Sequence, residues 1–139
     1  MAMAMRVGDS VERLLAIVML ITLATGCGDP GGGETIEVSL ADLPCQMLSP
    51  EGTWESAPFP PITDDQCLWF SFDPNTTYIF EHPLGRIPFD VSGFIAFGSD
   101  GIGATSGSGN AFLIIEADES TVTIRNGQNQ RFWLRLVLE

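Results

Sequence analysis

The chain has 139 residues, 18 acidic side chains against six arginines, no lysine and a net charge of −12. A surface of that sign repels phosphate backbones and anionic headgroups, so nucleic-acid binding is excluded. The length left after an apolar leader suits one domain, and the three cysteines, an odd number, need separate accounts.

The leader comes first. Arg13 precedes an uncharged apolar run over 14–25, which ends in Leu23-Ala24-Thr25-Gly26 directly before Cys27. A dozen or so residues suit a secretory apolar core and fall short of the roughly 20 that span a bilayer as a helix. The segment resembles the leader of a bacterial lipoprotein, whose signal peptide is cut before a cysteine that then carries lipid. The resemblance implies a signal peptide over 1–26, lipid on Cys27, and a partner in the membrane through that anchor. Two or three acyl chains, at about 0.8 kcal/mol per buried CH₂, hold firmly. It also implies a cell-envelope location, periplasmic or on the outer face of the outer membrane, since Gly28 and not aspartate follows the cysteine. Two alternatives stay open: a secreted protein in which Cys27 is a free or third-partner thiol, and an uncleaved anchor.

Residues 27–34 read as a lipidated cysteine and a flexible Gly/Pro linker, and 35–139 as the folded domain. Thr35-Ile36-Glu37-Val38-Ser39-Leu40 alternates as a half-buried strand. Prolines at 44, 50, 58, 60 and 61 predict a loop over 41–66, with Trp54 and Phe59 covering one end of the core. A bridge between Cys45 and Cys67 would pin that loop and contribute roughly 3 kcal/mol; two buried thiols or intermolecular pairing are the alternatives. Strands follow over 67–72 with Leu68, Phe70 and Phe72 inward, and over 77–82 after an Asp73-Pro74-Asn75 turn. The next runs over 89–97, with Phe89, Val91, Ile95 and Phe97 inward and a bulge at Gly93. A glycine-rich loop reaches Asn110. The run 111–117 reads as a strand covered on both faces, 121–125 as an alternating strand, and Asn126-Gly127 as a hairpin turn into 132–138, with Phe132, Leu134, Leu136 and Leu138 inward. About seven short strands and no amphipathic helix predict an all-β fold, a small antiparallel β-sandwich.

His82-Pro83-Leu84-Gly85-Arg86-Ile87-Pro88 and the ending Phe132-Trp133-Leu134-Arg135-Leu136-Val137-Leu138 are set in a strand order that resembles small β-sandwich modules of phage tail and tail-fibre proteins. The resemblance covers under half of the chain, and those modules have neither the leader nor the cysteine pair. It implies a sandwich with a surface-binding or assembly role and no enzymatic one.

Sites of chemistry are few. His82 is the single histidine, and no nucleophile elbow or zinc-binding spacing accompanies it. Asp64-Asp65, Asp73-Asn75 and Asp100-Gly101 read as turn residues and not as calcium ligands; no metal and no cofactor is expected. Trp69 and Trp133 lie opposite their strands' main apolar faces. They suggest, as the alternative to a non-enzymatic envelope protein with a protein partner or structural role, a lectin-like carbohydrate platform.

Overall fold

A computed structural model describes residues 33–59 and 67–139; Cys27, the leader and Asp64-Asp65 lie outside them. Gly33–Glu139 forms one compact unit. Its strands are β1 (Thr35–Val38), β2 (Met47–Leu48), β3 (Trp54–Glu55), β4 (Phe70–Phe72), β5 (Thr77–Glu81), β6 (Val91–Ala96), β7 (Thr105–Ser106), β8 (Leu113–Ala117), β9 (Thr121–Arg125) and β10 (Phe132–Leu138). Single 3₁₀ turns lie at Leu40–Asp42 and Gly109–Ala111. The seven longer strands sit where periodicity placed them, and β2, β3 and β7 are two-residue additions. Two of these, β2 and β3, pair with each other inside the predicted 41–66 loop.

Two sheets pack face to face. One has the order β1-β5-β9-β8, with β1 parallel to β5 and the other pairs antiparallel. The second is built around β10, which pairs along one side with β6 and along the other with β3 and β4; β2 extends the sheet beyond β3, and β7 beyond β6. Alternation aims Phe132, Leu134, Leu136 and Leu138 inward, onto Tyr78 and Phe80 of β5 and Val122 and Ile124 of β9. Trp54 is wholly buried in the same core, while Phe59 is 60% exposed.

Several expectations need correction. Phe89 and Phe97 are 76% and 79% exposed. They keep the inward phase of β6 but lie beyond its ends, outside the core cluster. Leu68 is exposed too, because β4 begins only at Phe70. The apolar run at β8 is an edge strand, with Ile114 and Ile115 in solvent and an irregularity between Ile114 and Glu116. Asn126-Gly127 is no hairpin: β9 and β10 belong to different sheets. Asn126 is fully buried and its Nδ2 donates to the carbonyls of Phe72 (2.9 Å) and Gln130 (2.8 Å), while its Oδ1 accepts from Gln128 N–H (3.0 Å). The side chain ties β4 to the crossover. Asn126→Ala leaves those groups without it, and a loss of about 2 kcal/mol in urea unfolding is expected; an unchanged midpoint would contradict this role.

Gly93 holds no bulge. Its pairing with Leu136 continues an unbroken register from Trp133↔Ala96 to Leu138↔Val91. Its purpose is space, since a Cβ there would stand 2.4 Å from the Phe112 ring. Phe112 crosses from the start of β8 and seals the core over that glycine. Gly93→Ala is expected to cost about 1–3 kcal/mol by overpacking, visible as a lowered urea midpoint with an unchanged slope.

Candidate functional site

The outer face of the β10 sheet carries a second, smaller apolar cluster. Ala57, Trp69 and Ala96 are its buried members, with Phe94, Ala104 and Trp133 packed against them. The register explains the grouping: Trp133 sits opposite Ala96 and Ser71, and Arg135 opposite Phe94. All point away from the core because their neighbours Leu134 and Leu136 point into it.

Arg135 is the centre of this face. It is buried, with Nε donating to the Ala57 carbonyl (2.8 Å) and Nη2 at 2.7 Å from Glu55 Oε2. Its guanidinium lies 5.7 Å from the Phe59 ring centroid and 5.4 Å from that of Phe94. Planar delocalised charge suits such a stacked position, where a lysine would not. The segment Ser56-Ala57-Pro58-Phe59 lies over the sheet here. Ser56 N–H donates to the Leu136 carbonyl (3.0 Å) and Ser56 Oγ accepts from Leu136 N–H (2.8 Å), so the chain continues the ladder past β3.

A disulfide between Cys45 and Cys67 closes the loop that contains this cover, with Cα atoms 5.3 Å apart. Beside it opens a cavity of about 280 Å³, lined by Leu43, Cys45, Ser56, Trp69 and Ser71 among others. That volume lies just under the range typical of small-molecule sites.

Trp69 and Trp133 are therefore brought together, as alternation predicts, yet not as a platform. Trp69 is 1% exposed. Its Nε1–H points at the Pro58 carbonyl (3.4 Å), and Gly101, at φ +67°, passes so close that a Cβ there would stand 2.6 Å from the indole. A sealed ring cannot stack on a sugar, which removes Trp69 from the ligand-binding pair. Trp133 is half-buried and packs against the same cluster as Phe94. The role of Arg135 was not visible in the sequence. Its outward position followed from alternation, but nothing local showed that 56–59 would cover it.

Asp73 and Asp100 take part in local hydrogen bonds. Asp73 takes the Tyr78 hydroxyl (3.4 Å) on one oxygen and pairs with Arg131 through the other, while its N–H donates to the Tyr78 oxygen (2.9 Å). Burial pushes the Tyr78 phenol pKa up. Asp100 Oδ1 accepts from Ile102 N–H (3.0 Å), a turn bond. Among the described residues no three His, Cys, Asp or Glu side chains group closely enough to hold a metal ion. His82 is 4% exposed at the end of β5. No match emerges from comparison with protein-family models, curated proteins or solved structures.

Proposed function

We propose that the protein is a lipid-anchored lipoprotein of the cell envelope whose β-sandwich engages another protein or packs in a surface assembly, without catalysing a reaction. The observation that carries this reading is the amount of apolar side chain left in water. Phe59, Phe89, Phe97 and Ile102 are all at least 60% exposed on an otherwise strongly acidic chain. Isolated exposed apolar residues are ordinary, but several aromatic ones on so small a domain point to contact with a partner. Phe59 stacks on Arg135, Phe89 lies under Arg86 (5.6 Å) and Phe97 against Phe132 (5.7 Å). Each ring is thus steadied in place, which lowers the ordering cost of binding.

The anchor part of the proposal rests on Leu23-Ala24-Thr25-Gly26-Cys27. Labelled palmitate should appear on the chain and vanish in Cys27→Ser; labelling of both, or of neither, would overturn the anchor. For the partner, a photo-crosslinking residue placed in cells at 59, 89 or 97 should give a discrete adduct that the same residue at Glu37 does not. The absence of any position-specific adduct would remove the binding role. A carbohydrate platform is disfavoured by the sealed Trp69 ring.

A further inference from the structure

The single histidine is buried at the end of β5. His82 follows β5, is 4% exposed, and neither Nδ1 nor Nε2 has a hydrogen-bond partner of normal geometry. The turn over 118–120 closes beside it. His82 N–H donates to the Ser120 carbonyl (2.8 Å), Glu81 pairs with Thr121, and Asp118 N–H donates to the Thr121 carbonyl (2.9 Å). We propose that His82 is an acid-sensitive clasp: neutral, it lets the turn joining β8 to β9 close over the end of β5, and on taking a proton from solvent it forces that turn open.

A neutral imidazole sealed in this way carries one donor and one acceptor without a bond of normal geometry; an imidazolium brings two donors and a whole charge. Burying an unpaired charge is far more costly than burying a neutral polar group. The charged groups around the ring do not remove that cost. Asp118, in the overlying turn, favours the proton, as does the backbone of Asp118 and Thr121, but burial outweighs them and holds the His82 pKa below its usual value. Asp118 is occupied elsewhere. Its Oδ1 accepts from the N–H groups of Ser120 (2.7 Å) and Thr121 (2.7 Å), and Oδ2 from the Thr121 hydroxyl (2.9 Å). Glu119 is exposed in the same turn. Glu81, next along β5, accepts from Leu40 N–H (3.3 Å), and Arg86, in the connection that follows, donates to the Gly52 carbonyl (3.3 Å).

The direction follows from linkage. The closed form resists the proton and the open form takes it up near pH 6.5, so the clasp is at full strength above that pH. Below it, closure weakens by up to tenfold per pH unit, until the closed ring itself becomes protonated. The hydrogen bonds to Asp118 hold its pKa at about 2, so it stays ionised throughout and contributes nothing to changes between pH 7 and 5.

One histidine makes the test direct. In the whole chain, the His82 Hε1 resonance should titrate with a midpoint below 6.5. Amide protection at 120–122, corrected for intrinsic exchange, should fall by up to tenfold between pH 6.5 and 5.5 while β10 stays protected. His82→Gln and His82→Phe should abolish that fall. A midpoint at or above 6.5, protection at 120–122 that merely follows β10, or the same fall in either folded variant would overturn the clasp. Should neither variant fold, the wild-type titration and exchange decide alone. The inference does not depend on the lipoprotein reading.

Discussion

Trp54→Ala is expected to remove about 3–5 kcal/mol of stability, the range for truncating a large buried aromatic side chain. Trp54 is 0% exposed, and its strand links β10 to the edge of the sheet, with Leu138 paired on one side and Leu48 on the other. Its indole N–H donates to the Gln46 side chain, a bond that truncation also removes. Against a typical total of 5–15 kcal/mol for a domain, that loss approaches unfolding. Trp54→Phe keeps most of the volume and should recover the larger part. Urea unfolding of the three proteins checks this, and a loss below about 1 kcal/mol for Trp54→Ala would show that β3 is dispensable to the core.

The second large effect is expected from the disulfide. Replacing Cys45 and Cys67 together by alanine frees a segment with a separation of 22 residues, which the chain-entropy account values at about 3 kcal/mol. Part of the effect should be local. The segment carrying Ala57 and Pro58 would no longer be held over Arg135 and Trp69, so iodide should quench a fraction of the tryptophan fluorescence that it cannot reach in the bridged protein. An unchanged urea midpoint together with unchanged quenching would mean that the hydrogen bonds of Ser56, Ala57 and Pro58 hold the cover down without the bridge.

How far the sequence reveals this molecule depends on the range of the interaction. The alternation in 132–138 reports a local period of two, and the inward set Phe132, Leu134, Leu136 and Leu138 is buried as that period requires. The Asp73-Pro74-Asn75 turn is equally local, with Asn75 at φ 53°. The local period misleads wherever burial depends on what lies opposite. Phe89 and Phe97 have the right phase but lie past the ends of β6, outside the core. Ile114 and Ile115 have the composition of a central strand and the position of an edge. Asn126-Gly127 has hairpin chemistry, but the buried Asn126 amide spends its hydrogen bonds on the crossover between sheets. At the candidate site, the outward aim of Trp69 and Trp133 was readable from alternation. That a disulfide-closed segment covers one of them and buries Arg135 was not: alternation says nothing of what lies over a face, and the Arg135 contact joins residues nearly 80 positions apart.

The place of β10 sets the order of assembly. It is the shared neighbour of β3, β4 and β6, all of which precede it in the chain. Until β10 has emerged from the ribosome those three strands have no common partner, and half of the sandwich has no centre. Contacts of such long sequence separation form slowly. A nascent chain built in this way cannot complete its second sheet until β10 is made.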